Sequence, residues 1–135
     1  MPKEPKKDWK EIHVEEIIKL QAEYDRTPEI NVRKRVDILS DMLIFIGKLA
    51  AEYSDEYKGA YIERKYAYAE AEYNATKKPQ AYAELQIKEH REREREAEKM
   101  MKRWNNAFIS TKEKINSLKF GAKIDIEDGS NQKGL

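Results

Sequence analysis

The sequence predicts an all-α protein: an elongated antiparallel helical hairpin, coiled-coil-like, with a short N-terminal helix packed at its base. Three observations carry that expectation. Residues 79–118 have no internal Gly or Pro and hold one register in alternating steps of four and three: Ala83, Ile87, His90, Glu94, Ala97, Met101, Trp104, Phe108, Thr111, Ile115 and Leu118. Such spacing keeps one stripe of an α-helix turned toward a partner helix. A second stripe, Val32, Val36, Leu39, Leu43, Ile46, Ala50 and Tyr53, steps the same way and supplies that partner. Composition agrees: 39% of residues are apolar and 39% charged, with five Gly and four Pro. That balance suits long solvated helices and leaves too few turn formers for an all-β fold.

Taken in order, residues 1–7 combine two Pro with three Lys and read as a flexible basic arm. Asp8 can cap a first helix over 8–26, with Glu11 placed for a capping box. Trp9, Ile12, Val14, Ile17, Ile18, Ala22 and Tyr24 form its apolar side. Thr27-Pro28 reads as the next helix start, because Thr can accept from an orphan amide and Pro fits the first helical position. That second helix is expected over 28–77. Gly59 weakens it by about 1 kcal/mol relative to Ala, and beyond Tyr53 its seam changes to Tyr57, Ala60, Arg64, Ala67 and Ala71.

Lys77-Lys78-Pro79 is the sharpest internal break, since a residue before Pro is pushed out of helical geometry. A third helix over 79–120 then runs back along the second, with Gly121 as its stop. Residues 8–121 thus make a single helical domain, and 122–135 read as a disordered tail. The distal part of the hairpin is thinly provisioned: between Lys58 and Lys99 the large aliphatic residues are Ile62, Leu85 and Ile87. So few apolar anchors make an isolated helix pair marginal, and this arm is expected to dock on a second copy or on another protein.

The chain has 135 residues, a net charge of +1 and no Cys. Its length suits one domain, its charge makes any attraction to nucleic acid or membrane a matter of local patches, and its lack of thiols fits a reducing cytoplasm. The apolar run at 42–46 is far too short for a bilayer span. The expectation is a cytoplasmic protein with no membrane contact. Two His are present and neither follows Glu by three residues, so the Glu-x-x-His pairs of a di-iron bundle are missing, as is any zinc spacing. Glycine-rich phosphate loops and nucleophile elbows are missing too. The reading is therefore not an enzyme, with no metal, no cofactor and no small-molecule substrate.

Two surfaces invite a partner. Seven of the eight tyrosines fall between Tyr53 and Tyr82, interleaved with Lys58, Arg64, Lys65, Lys77 and Lys78. Tyr57, Tyr61 and Tyr68 share one helical side and Tyr66 and Tyr73 another. Tyrosine is common where proteins meet, and Tyr57, Tyr61, Arg64 and Tyr68 are the candidate protein-interface residues, with self-association as the expected use. Aromatic faces beside cations also suit stacking on single-stranded nucleic acid. The second surface is basic. Lys99, Lys102, Arg103, Lys112 and Lys114 are the candidate nucleic-acid contacts, in a stretch from Lys99 to Lys123 with seven Lys or Arg against the single Glu113. Such a face also suits a helix C-terminus without any ligand. The first helix and its exit carry the opposite sign, through Glu11, Glu15, Glu16, Glu23, Asp25 and Glu29.

From Leu49 the pattern resembles a family. Leu49-Ala50-Ala51-Glu52-Tyr53, Ala60-Tyr61-Ile62-Glu63-Arg64-Lys65, then Trp104 and the string Ile109-Ser110-Thr111-Lys112-Glu113-Lys114-Ile115-Asn116-Ser117-Leu118-Lys119 resemble the small all-helical proteins of the early regions of tailed bacteriophages, in their replication and recombination clusters. The resemblance covers residues 49–119. It implies a cytoplasmic accessory protein in a bacterial host that acts by binding, near single-stranded DNA or a recombinase, or as an inhibitor of a host defence complex. It brings no catalytic residues.

Overall fold

The computed structural model describes residues 8–133; the basic arm expected at 1–7 lies outside the described residues. Four helices follow one another: α1 Trp9–Arg26, α2 Val32–Asn74, α3 Pro79–Gln86 and α4 Lys88–Lys133. Among the described residues there is no strand. The long helices α2 and α4 pack against each other and α1 packs against α2. The chain forms two compact units, one from residues up to Leu49 together with Asn106 onward, the other from Ala50–Asn105.

In the first unit α2 has two working faces. Val36, Leu39, Leu43 and Ile46 follow the seam spacing and are covered to differing degrees, while Ile38, Met42 and Leu49 form a second buried stripe. Two stripes on one helix serve two neighbours. The antiparallel sense of α2 and α4 can be read from pairs of residues: Phe108 lies 3.3 Å from where a Cβ on Gly47 would stand, and Val36 shares an open groove with Ala122. As numbers fall on α2 they rise on α4. From α1, His13 stacks edge-on against Trp9 and leans on Phe45 of α2 at 5.4 Å. The apolar side expected on α1 is narrower than drawn: Trp9, Ile12, Ile18 and Ala22 are exposed, and Tyr24 is the buried anchor.

The turn between α1 and α2 corrects the expected helix start at Thr27-Pro28. Thr27 closes α1 instead. Its hydroxyl donates to the Glu23 carbonyl at 2.8 Å, and its amide donates to the Tyr24 carbonyl at 3.0 Å. α2 begins at Val32, where the Asn31 side chain accepts from the Lys34 amide at 3.3 Å, as an N-cap asparagine does. Arg35 then reaches back. Its Nε and one terminal nitrogen donate to the Thr27 carbonyl at 3.1 and 2.8 Å, the other donates to the Tyr24 hydroxyl at 3.3 Å, and its guanidinium lies over the Tyr24 ring. A planar fork can make all of these contacts from one side chain.

α4 does not stop at Gly121 but continues to Lys133, so the tail read as disordered over 122–135 is helical as far as the description goes. Gly121 has no positive φ, the feature that makes glycine a helix stop. One further step along the stripe, Ala122 is half-buried and lines, with Ile126, Val32 and Val36, a groove of about 600 Å³ rimmed by Arg33 and Lys123. A glycine inside a helix costs only about 0.5–1 kcal/mol relative to Ala, too little by itself to end one.

In the second unit α2 ends at Asn74, short of the expected 77, and Lys78 turns the chain in the left-handed conformation, φ 43° and ψ 64°. Pro79 opens α3. The helix expected over 79–120 is interrupted at Ile87, whose φ of −96° and ψ of 8° break the regular turn. Its amide still donates to the Ala83 carbonyl and its carbonyl still accepts from the Arg91 amide, at 3.1 and 2.9 Å. Ala83 and Ile87 are both fully buried, so the stripe passes through the interruption without changing side.

Candidate interaction surface

The second unit has a small interior. Its buried apolar residues are Ala50, Ala83 and Ile87, and the rest of the seam is made of half-covered groups. Tyr53 stacks parallel to Trp104 at 6.5 Å. One layer on, Arg64 of α2 pairs with Glu94 of α4, and only 17% and 15% of their side-chain surfaces remain exposed. Both positions belong to the seams read from the sequence. The pairing itself needs the register of one helix on the other, which no single stripe contains.

Of the candidate interface residues, Tyr57, Arg64 and Tyr68 are half-buried and Tyr61 is more exposed. Tyr61 is a cation platform: the Arg64 guanidinium lies 5.3 Å and the Lys65 ammonium 4.7 Å from its ring centroid. The structure brings these residues together on α2, with Arg64 committed to Glu94. The tyrosines that reach furthest out are others. Tyr66 is 74% and Tyr73 89% exposed, and Ile62 between the seams is 51% exposed. Ile62, Tyr66, Ala69 and Tyr73 are all exposed and themselves step by four, three and four. They occupy the side of α2 opposite Tyr57, Ala60, Arg64 and Ala67, because a heptad places its c and f positions across from a and d. The sequence already separated Tyr66 and Tyr73 from the other tyrosines. It did not show which side would be covered.

The basic candidates fall in both units and are described in each. In the second, Lys99, Lys102 and Arg103 are exposed. Lys102 donates to Glu98 at 2.8 Å, and this hydrogen bond, with the Glu98 charge behind it, holds the ammonium above its ordinary pKa. In the first, Lys112 and Lys114 are exposed, and the Lys114 ammonium sits 4.3 Å from the centroid of the Tyr24 ring. Lys102 and Lys114 therefore have partners of their own.

Among the described residues no group of three or more His, Asp or Glu is gathered closely enough to hold a metal ion. No helix among them is long and apolar enough to cross a membrane. Comparison with protein-family models, with curated proteins and with solved structures finds no match to this chain.

Proposed function

We propose that this chain is a non-enzymatic helical binding protein that works through protein–protein contacts and self-associates through its tyrosine-rich unit, in the manner of a phage-type accessory factor in the bacterial cytoplasm. One observation carries the reading. The unit built on Ala50–Asn105 has a lean interior yet leaves Ile62, Tyr66, Tyr73 and Leu85 more than half exposed. Large apolar groups left in water beside a small core are what a surface awaiting a partner has. Tyrosine suits the task because its ring contributes contact area while its hydroxyl tolerates solvent before the partner arrives.

Light scattering on a size-exclusion column tests self-association. The reading expects a dimer or larger; a monomer at tens of micromolar, a range chosen as a practical limit for weak assembly, counts against it. Capture from infected-cell extract then separates an accessory role in replication or recombination from inhibition of a host defence complex.

A second reading rests on the exposure of Lys99, Arg103 and Lys112, none of which carries one of the close pairings of Lys102 or Lys114. It takes single-stranded nucleic acid as the ligand. Binding to labelled oligonucleotides that falls steeply with salt would support it, and no shift at low salt removes it.

A further inference from the structure

The back of α2 in the second unit is built as half of a coiled coil. Gly59, Ile62, Tyr66, Ala69 and Tyr73 are all exposed and repeat in steps of three and four, the spacing of heptad positions a and d. The stripe has definite ends. Asp55, one step earlier, is charged and exposed, and the helix finishes at Asn74, one residue past Tyr73. Among the described residues, no side chain and no other helix comes within 4 Å of where a Cβ on Gly59 would stand, so that end of the stripe is open.

The flanking charges say what covers it. With Gly59, Tyr66 and Tyr73 at a, and Ile62 and Ala69 at d, the g positions before each of the first two heptads are Lys58 and Lys65 and the e positions are Glu63 and Glu70. All four are exposed. When two helices run parallel and in register, each g residue lies beside the e residue of the following heptad on the other helix. That sets Lys58 beside Glu63 and Lys65 beside Glu70, twice over across a two-fold axis. In the antiparallel arrangement g meets g and e meets e, which sets Glu against Glu along the e flank and leaves Glu72, at the last g position, as the one g residue that could answer a Lys. A helix whose e and g flanks complement each other along both heptads only when parallel has its own copy as the fitting partner.

We infer that two copies of this chain associate in parallel through the back of α2, with Ile62, Tyr66, Ala69 and Tyr73 forming the seam and Lys58–Glu63 and Lys65–Glu70 pairs fixing its direction. The inference rests on the proposed self-association and adds its surface, its orientation and its register. It places the contact on the opposite side of α2 from Tyr57, Arg64 and Tyr68.

The absence of Cys makes the test direct. In the parallel, in-register dimer residue 66 meets residue 66 of the second copy, within the spacing of roughly 4.4–6.8 Å between Cα atoms that a disulfide spans. Tyr66→Cys under mild oxidation should give a covalent dimer on a non-reducing gel, and Glu89→Cys, an exposed position on α4, should not. Ile62→Glu should yield monomer by light scattering with its helical circular dichroism unchanged. Lys65→Glu and Glu70→Lys should each weaken the dimer several-fold, and the two together should restore it. A wild-type dimer that persists in Ile62→Glu, and that cross-links no better at 66 than at 89, overturns this inference and leaves self-association standing. A wild-type monomer overturns both.

Discussion

Arg64 and Glu94 form an ion pair across α2 and α4, with most of each side chain covered, in a seam whose neighbouring members are Ala60 and Ala67 on α2 and His90 and Ala97 on α4. Three of those four neighbours are alanines, so the long charged pair supplies much of the local contact between the helices. Removing one partner leaves the other partly enclosed and unanswered. Glu94→Gln or Arg64→Met should therefore cost about 2–3 kcal/mol, at or just below the roughly 3–5 kcal/mol for breaking a fully buried pair, because some of each side chain still meets water. Arg64→Met with Glu94→Met should return to within about 1 kcal/mol of the wild type. Urea unfolding of the two singles and the double closes the cycle and reads the coupling.

Lys78 holds φ at 43° to join α2 to α3. A side chain there costs roughly 1–2 kcal/mol, and glycine returns about half of the relief through its freedom in the unfolded chain. Lys78→Gly should raise stability by about 0.5–1 kcal/mol. Thermal unfolding would show it as a higher midpoint; a lower one would mean the lysine makes a contact that matters more than its backbone.

Two helical glycines should answer the same substitution differently. Gly59→Ala meets open space and should gain about 1 kcal/mol of helix propensity. Gly47→Ala brings a methyl to 3.3 Å from the Phe108 ring, so the ring must move and most of that gain is lost. Denaturant midpoints of the two variants, measured side by side at low concentration, check the difference.

Arg35 joins the two ends of the first turn through hydrogen bonds to the Thr27 carbonyl and the Tyr24 hydroxyl. Arg35→Lys keeps the charge but not the fork. It should cost about 1–3 kcal/mol, the range for losing hydrogen bonds from a charged group to partly buried acceptors. A change under a few tenths would show that the Arg35 stem, rather than its fork, holds the turn.

The α4 stripe is legible in the sequence alone: every seam residue named from Ala83 to Leu118 is covered to some degree, because heptad spacing is a local property of a helix. The second buried face of α2, with Ile38, Met42 and Leu49, is not, since what covers a face depends on how α1 and α4 pack against α2. Thr27 could cap either helix that flanks it, and the sequence holds nothing that decides between accepting from α2 and donating back to Glu23. Gly121 misled for a related reason. A glycine permits a helix stop but does not require one, and Val32 and Val36, which share a groove with Ala122 beyond it, lie far away along the chain. Tyr57, Tyr61, Arg64 and Tyr68 were grouped by type and spacing. Arg64 belongs to Glu94, and that match becomes visible only when two seams are aligned.

One consequence of the first turn is practical. Thr27 is buried and tied to Glu23 and Arg35, and Asn31 is tied to Lys34, while Pro28, Glu29 and Ile30 between them are exposed, Ile30 by 92%. The side-chain fastening lies on either side of those three residues, and within them the Pro28 carbonyl accepts from the Asn31 amide at 3.0 Å. A reporter peptide spliced after Glu29 should ride on the folded chain as a passenger, and so give a handle for labelling without cutting into either helix.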